Sequence, residues 1–441
     1  MIRWLVPSAA IVATALVVGA TIRDARQTVA APVAAPAVHL PSRGTSRADL
    51  AGIVSSMTSR LSAHPDDGVA VVLLADALLR MQRVNNDSRA VTEADGRLRK
   101  FLTAHPDHYE GQRMLAAVLL AQHRFGDAVR QANKTRALDP RDALNYGAQG
   151  DGYLELGDYP RAFEAFDTMG RLQPGPPAYA RVAYALELQG DLEGALEYMR
   201  RAADGITPND SEAQAWHYAQ VGELLLQKGR LGEARREFER AAATFPKHPD
   251  ANAGLAKIKI IEGDLTGARL MLQAQLAEGP TADTAAIVGD LSVELGDATA
   301  ASQYYRMAEQ IERAGWASGV RQPGGLARLL AERGRDLTEA VVLAEEAATT
   351  RRDVMTLDTL AWAYFRSGRL PEARRRSDEA LRLGTRDARL LYHAAEIVAA
   401  AGDRRAAMAL LDRIAAPHAV ADVLVARGIR ALRDESRPPT R

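Results

Sequence analysis

Two histidines, His105 and His108, are the first residues whose spacing suggests chemistry, because neighbouring imidazoles can bind zinc. Pro106 lies between them, and no carboxylate or third histidine stands nearby at the spacing of a zinc site. The chain also contains no cysteine, which excludes thiolate metal sites, thiol catalysis and disulfides. We therefore predict neither a bound metal nor any other cofactor.

A second candidate is the glycine-rich stretch that contains Gly147, Gly150 and Gly152, since glycine-rich turns can bind phosphate. These glycines fall inside a predicted helix, not in a turn from a strand to a helix, so their context excludes a phosphate-binding loop. The sequence also lacks a nucleophile elbow, a zincin helix motif and a Walker motif. We predict that the protein is not an enzyme.

Composition and charge narrow the functional classes further. Hydrophobic residues make up 47% of the 441 residues but aromatic residues only 5%, which favours helices that pack closely through small side chains. Basic and acidic residues number 56 each, so the chain lacks the positive excess of nucleic-acid-binding proteins. We predict no nucleic-acid partner.

Eight glycines, each followed by aspartate or arginine, recur with a period of about 34 residues. An alanine follows five residues after most of them, as Ala234 follows Gly229. Such a glycine ends a helix in the left-handed conformation, and the alanine lies where two antiparallel helices approach closely. The eight glycines are Gly157, Gly190, Gly229, Gly263, Gly296, Gly334, Gly368 and Gly402.

This pattern resembles the tetratricopeptide repeat, which pairs an aromatic residue, Leu-Gly and Tyr on one helix with Ala, Phe and a closing Pro on the next. One unit reproduces it with Tyr218, Val221, Gly222, Leu225, Gly229, Leu231, Ala234, Phe238, Ala241 and Pro246. The resemblance implies an all-α fold, namely an α-solenoid that forms a right-handed superhelix of about ten helix pairs with capping helices. By phase, the units start near residues 68, 109, 143, 176, 215, 249, 282, 320, 354 and 388.

The N-terminus carries an apolar run from Trp4 to Ala20 between Arg3 and Arg23. Its length is at the lower edge of a membrane span and above a usual signal-peptide core, so a signal anchor and a leader cleaved after Ala20 both fit. Either alternative predicts an exported or membrane-anchored protein with an extracytoplasmic solenoid, which meets the membrane through this segment only.

These signals divide the chain into five predicted segments, from the leader to the tail. They are a signal peptide or anchor at 1–22, a Pro/Ala-rich linker at 23–45, an N-terminal capping helix at 46–67, the solenoid at 68–419, and a C-terminal capping helix and tail at 420–441.

In the family, one face of each first helix lines a concave groove, so the resemblance places partner-binding residues there. The candidates are Arg113, Arg181, Tyr184, Trp216, Gln220, Glu223, Lys257, Arg328, Trp362 and His393. Aromatic and arginine side chains are typical of protein-binding surfaces, which leads us to expect both tryptophans to be at least partly exposed. The structural alternative is that the aromatic residues only fill gaps between helices.

The function that this surface predicts is a non-catalytic scaffold of the cell envelope, which binds a partner protein in the groove. The alternative is an accessory or assembly subunit of a membrane enzyme or secretion complex. The clamp that some family members use for a partner's C-terminal carboxylate is doubtful here, because the corresponding positions contain no asparagine.

Overall fold

The computed structural model describes residues 46–85, 87–207, 209–317 and 322–435. The predicted leader at 1–22 and linker at 23–45 lie outside these residues. Within the described ranges the chain forms 22 α-helices and no strand, as the all-α prediction requires. In the same ranges, no helix combines the length and apolar character needed to cross a membrane.

The helices form ten antiparallel pairs, numbered here as units 1 to 10, between the capping helices α1 (Arg47–Ala63) and α22 (Val423–Glu435). The pairs, with the first helix of each unit given first, are α2 (Gly68–Asn85) and α3 (Ser88–Ala104), α4 (Tyr109–Ala121) and α5 (Phe125–Leu138), α6 (Ala143–Glu155) and α7 (Tyr159–Leu172), α8 (Pro176–Leu188) and α9 (Leu192–Gly205), α10 (Ser211–Gln227) and α11 (Leu231–Thr244), α12 (Pro249–Ile261) and α13 (Leu265–Glu278), α14 (Ala282–Glu294) and α15 (Ala298–Ala317), α16 (Pro323–Arg333) and α17 (Leu337–Thr350), α18 (Val354–Arg366) and α19 (Leu370–Ala380), and α20 (Ala388–Ala400) and α21 (Arg404–Leu411).

Eight of the ten predicted unit starts coincide with the first residue of a first helix. The other two differ by a few residues, because α10 begins at Ser211 and α16 at Pro323. Both follow junctions where the period lengthens, so the phase of the repeat predicts them less well. The segment boundaries of the whole chain stay predictions.

The core runs along the solenoid between the first and second helices of each unit. Phe166 and Phe238, on the second helices α7 and α11, are among the largest fully buried side chains. Ala162 and Ala234, one turn earlier on the same helices, are fully buried at the helix crossing. The turn glycines all have φ between +63° and +91°, the left-handed region that permits the tight reversal.

Successive turns of the superhelix touch along a line of contacts that we call the seam. The turn of unit 3 meets the junction between units 8 and 9, where the Arg352 N–H donates to the Glu155 carbonyl at 2.8 Å. The Val354 N–H donates to the Tyr159 hydroxyl, also at 2.8 Å, across 195 residues of sequence. Arg382 donates to the Gly157 carbonyl at 2.7 Å. Main-chain N–H and carbonyl groups therefore form hydrogen bonds across the seam.

The seam contact repeats in the next two units with the same offset. The turn glycine of unit 4, Gly190, lies against Gly384 at the junction between units 9 and 10. The turn glycine of unit 5, Gly229, lies against Ala416 and His418, which follow unit 10. The turn of a unit thus packs on the junction that follows the unit five places further along the chain.

The two ends of the solenoid also pack on the neighbouring turn. From the N-terminal cap, Arg47 donates to the Pro246 carbonyl at 2.9 Å, and in unit 1 Arg83 pairs with the buried Glu212 at 2.8 Å. From the C-terminal cap, Arg427 pairs with Glu294 of unit 7 at 2.9 Å. The superhelix is therefore wound tightly, and the concave face that the sequence predicts as a groove becomes the wall of a narrow interior.

The seam contacts predict that alanine lowers the free energy of unfolding by different amounts at two turn glycines, Gly190 and Gly263. Their backbone conformations are nearly the same, with φ of +79° and +85°. A Cβ at Gly190 would lie 2.6 Å from the Gly384 carbonyl oxygen, whereas none of the described atoms lies within 4 Å of one at Gly263. Gly263→Ala should cost about 1–2 kcal/mol through backbone strain alone. Gly190→Ala should cost a further 1–3 kcal/mol, roughly, through the clash. Equal denaturant midpoints for the two variants would contradict the seam.

Candidate functional site

The arginines predicted for the groove lie on the inner wall of the superhelix, but they are paired there. Arg113 contacts Asp142 of the next unit at 2.8 Å. Arg181 donates to both oxygens of Asp151, at 2.9 and 2.6 Å, so that α8 is tied to α6 by a bidentate pair. The cations predicted to meet a partner are thus already used between neighbouring first helices.

The same arrangement continues through the later units. Lys257 on α12 pairs with Glu223 on α10 at 2.7 Å, which brings together two of the predicted residues. Arg328 on α16 pairs with Asp283 on α14 and with Glu332 at 3.3 Å. Because these pairs keep part of their surface in solvent, each contributes only about 0–1 kcal/mol, and together they fix the spacing of the first helices.

Three uncharged residues of the predicted set keep accessible surface on the inner wall of units 4 and 5. Tyr184 on α8 is 39% exposed. Trp216 on α10 is half-buried, its indole in edge contact with the His217 ring at 4.8 Å between centroids, and Gln220 lies one turn further on the same helix, also half-buried. These side chains contribute accessible aromatic and amide surface to the inner wall.

The prediction that Trp362 is at least partly exposed is wrong, and the groove candidate His393 is also buried. The two rings stack in parallel with centroids 3.9 Å apart, and only 7% of Trp362 and 3% of His393 remain exposed. The His393 Nδ1 lies 3.0 Å from a buried Asp358 oxygen, which fixes the imidazole. First helices α18 and α20 pack so closely that side chains from adjacent units cover each other, as the gap-filling alternative predicts.

A carboxyl group on the inner wall shows how narrow the interior is. Burial raises the pKa of Glu187 on α8 to about 7, although a hydrogen bond from Gln227 at 2.6 Å favours the ionised form. Asp387 of unit 10 and Glu223 also raise this pKa, and Lys257 lowers it. The wall of units 4 to 6 therefore faces the start of unit 10 across the interior, and its charge is predominantly acidic.

A cavity of about 1180 Å³ lies beside the turn of unit 2, and we call it the seam cavity. Its wall combines the turn of unit 2 (122–127) with the first residues of α14, α16 and α18 and with Arg389 of α20. In this turn His123, with φ +58°, occupies the left-handed position that later units fill with glycine. The sequence contains this signal, because His123 lies one period before Gly157.

Most charged residues of the seam cavity have partners in its wall. Arg124 and Arg130 both pair with Asp127, and Arg351 pairs with Asp353 at 2.7 Å. Burial raises the pKa of nearby Glu332, but the opposing charges of three arginines, Arg328, Arg389 and Arg333, hold it down at about 2. The carboxylate is thus ionised throughout the neutral range.

Arg389 differs from these residues because its ion pairs are long, and sequence reasoning missed it. Its guanidinium approaches Asp358 and Glu332 only to 3.8 and 4.0 Å, beyond hydrogen-bonding distance. Nη2 donates to the Met355 sulfur at 3.6 Å, a weak acceptor, and the buried Nε has no partner among the described residues. Arg389 therefore keeps a buried Nε–H without a hydrogen-bond acceptor among the described residues, although Asp358 and Glu332 lie nearby.

His105 and His108, the two histidines whose spacing suggests a metal site, form contacts at helix ends instead. His105 lies 3.0 Å from Asp66, and the His108 ring accepts the Gly111 N–H at 3.1 Å as the cap of α4. Across the described ranges no group of three His, Asp or Glu side chains is arranged to hold a metal ion.

The packing of the two tryptophans predicts different responses to truncation. Trp362→Ala removes a buried indole from the α18–α20 contact and should cost about 3–5 kcal/mol of unfolding free energy. Trp216→Ala removes a half-buried ring and should cost clearly less. Urea unfolding followed by far-UV circular dichroism measures both, and a Trp362→Ala midpoint equal to that of the unaltered chain would disprove the packing.

Comparison with known proteins agrees with the helix-pair architecture. Models of the tetratricopeptide repeat match residues 147–211 and 225–291. Tetratricopeptide repeat protein 36 of Homo sapiens is 40% identical over 95 residues, which cover 21% of this chain and 50% of that protein. The Mus musculus protein of the same name is 39% identical over 95 residues, with the same coverage. The chain spans about half the length of the curated relatives it matches.

Solved structures with similar folds include PilW, described as a widely conserved type IV pilus biogenesis factor, at 21% identity and a TM-score of 0.38 over 46% of this chain and 93% of that one. The human IFIT1 dimer with m7Gppp-AAAA is 15% identical, with a TM-score of 0.48 over 75% of this chain and 76% of that one. At these scores neither likeness carries an argument about function. The helix pairs, the turn glycines and the matched repeat models together show that this chain contains tetratricopeptide repeats.

Proposed function

We propose that the chain is a scaffold of the cell envelope that holds a partner protein against the inner wall of units 4 to 6. Tetratricopeptide repeats generally mediate protein–protein interactions. The observation that carries the proposal is the 39% exposure of Tyr184, a large aromatic side chain on this wall. Accessible aromatic side chains of this kind are typical anchors of protein interfaces.

The surroundings of Tyr184 favour a protein partner with basic side chains. Glu187 follows one turn later on α8, and Glu223 and Asp151 lie on the neighbouring first helices. Arg181 pairs with Asp151 and Lys257 with Glu223, so the excess negative charge of this set comes from Glu187. A segment with an apolar residue for Tyr184 and Trp216 and a flanking lysine or arginine would match this wall. The absence of a nucleic-acid partner stays a prediction from the balanced charge.

The envelope location rests on the apolar run from Trp4 to Ala20, which precedes the Pro/Ala-rich linker. As an anchor it would hold the solenoid near the membrane, and as a cleaved leader it would export it. In both cases the linker at 23–45 spaces the first capping helix from the end of the leader.

Membrane fractionation tests the location. If the leader is an anchor, the full-length chain should pellet with membranes and resist carbonate and high salt, because burial in hydrocarbon is not screened by ions. A matched chain of residues 44–441 should stay in the supernatant. Exported soluble protein that begins near Thr21 would establish cleavage, and a full-length chain retained in the cytosol would refute the envelope location.

Partner capture tests the inner wall. Tyr184→Ala and Trp216→Ala should each weaken capture from a detergent extract by at least about 1 kcal/mol, about fivefold in affinity, because each removes an accessible aromatic anchor. Thermal unfolding should change little for Tyr184→Ala. Leu270→Ala, at a 60% exposed side chain on the second helix α13, is the matched control and should leave capture unchanged. If the wall variants capture the same proteins as strongly as the control does, the inner wall is not the binding surface.

A further inference from the structure

Glu187, on the inner wall of unit 4, has one carboxylate oxygen that the described residues leave available. Gln227 donates to its Oε1 at 2.6 Å, whereas its Oε2 has no hydrogen-bond partner among those residues. The side chain is half-buried, and Oε2 is not one of the fully buried atoms that lack a partner. This oxygen therefore keeps surface in the interior, where a bound group can reach it.

The cations around Glu187 are already used by other carboxylates. The Lys257 ammonium, which lowers the pKa of Glu187, pairs with Glu223 at 2.7 Å. Arg181, on the same helix as Glu187, donates to both oxygens of Asp151. Glu187 itself forms no ion pair with a described residue. Its carboxylate can therefore pair with a cation from outside the chain.

The seam places a second carboxylate beside Glu187. Gly190, three residues further along the chain, lies against Arg386 at the junction between units 9 and 10. Asp387 follows directly as the cap of α20, where one of its oxygens accepts the Leu390 N–H at 3.0 Å. The Arg386 side chain is exposed and pairs with neither carboxylate. Glu187 and Asp387 thus approach the same part of the interior from two superhelical turns.

An accessible aromatic ring lies next to these carboxylates. Tyr184 precedes Glu187 by three residues, so the two side chains share a face of α8, with Cβ atoms about 5–6 Å apart. Its side chain is 39% exposed. The face of an aromatic ring attracts cations, and a planar guanidinium can stack on the ring while it donates to carboxylates. The three residues therefore combine the groups that recognise arginine.

We propose that Tyr184, Glu187 and Asp387 form a site for an arginine side chain of the partner protein. The inference rests on the proposed function of the inner wall and names the residue type that this wall recognises. The guanidinium would stack on the Tyr184 ring and donate to Glu187 Oε2 and to Asp387. A lysine ammonium has no plane to stack on the ring and donates from a single point, so it matches the site less well.

The site should bind arginine more tightly as the pH rises. Burial raises the pKa of Glu187 to about 7, with Asp387 and Glu223 acting in the same direction and Gln227 and Lys257 against it. A guanidinium pairs with the ionised form of the carboxyl group. Between pH 6 and pH 8 the ionised fraction rises from about one tenth to about nine tenths, so binding should strengthen by up to about tenfold.

The titratable groups across the seam act in the same direction. Glu155 and Asp353 lie close to Tyr184, and the Arg351 Nε lies 2.6 and 2.7 Å from their carboxylates. Burial raises the pKa of Glu155 to about 7, against the charge of Arg351, so its ionisation also favours a bound cation. A Glu187→Gln variant separates the two contributions, because it leaves Glu155 intact.

Fluorescence polarisation of labelled hexa-arginine amide with the full chain in detergent tests the site. At pH 8 we expect saturable binding that is weaker for hexalysine amide by about threefold or more, and that hexaglutamine amide does not show. Glu187→Gln should weaken hexa-arginine binding by about tenfold at pH 8 and by much less at pH 6. Glu197→Gln is the matched control, because Glu197 lies on the second helix α9 of the same unit and pairs with Arg201.

Two variants test the aromatic ring. Tyr184→Phe should keep hexa-arginine binding, because the ring remains. Tyr184→Leu should weaken it by about two- to fivefold, because an aliphatic side chain offers no aromatic face to a cation. If Glu187→Gln loses its helical circular dichroism, the Tyr184→Leu result decides, and unchanged binding by that variant overturns the site.

The failure of this site can be distinguished from the failure of the proposed function. Equal binding of hexa-arginine and hexalysine, or hexa-arginine binding that Glu187→Gln leaves unchanged at pH 8, would overturn arginine recognition. If Trp216→Ala still weakens partner capture in that case, the inner wall remains the binding surface. If neither Trp216→Ala nor Tyr184→Ala weakens capture, the proposed function fails and the arginine site fails with it.

Discussion

The contact between successive superhelical turns determines what the rest of this structure can do. In a solenoid whose units touch only their neighbours, the concave face remains open and the turn glycines merely reverse the chain. Here the turn glycines of units 3, 4 and 5 also lie against backbone or side chains five units away, where a side chain of their own would collide. The seam converts the concave face into an interior wall.

Local features of the fold are readable from the sequence because their causes are local. The positions of the turn glycines and of the crossing alanines, such as Gly229 and Ala234, depend on helix reversal and on close packing within one unit, and the 34-residue period repeats both. The winding of the superhelix depends on small rotations that accumulate over many units, and no residue pattern records their sum. Contacts such as that of Tyr159 with Val354 therefore cannot be predicted from the sequence of single repeats.

The same distinction between local and long-range causes applies to the residues of the candidate site. Family positions put Arg181, Tyr184 and Lys257 on one face of the first helices, because a residue's face on its own helix is a local property, and partner binding by that face stays a prediction. What those residues do depends on the next unit: Asp151 and Glu223 neutralise the two cations, and His393 covers Trp362. Arg389 was missed for the converse reason, since its significance lies in the acceptors that its neighbours fail to supply.

The seam also bears on how the chain folds. Repeat arrays are usually built of neighbours alone, so that each unit can fold as soon as it has been synthesised. In this chain the turn of unit 3 acquires its last hydrogen-bond partners only when Arg352 and Val354 have been made, nearly two hundred residues later. Contacts over such sequence distances slow folding and couple the early units to the late ones. The two halves of the solenoid should therefore reach their final structure together, as one cooperative body, although they are built from separable units.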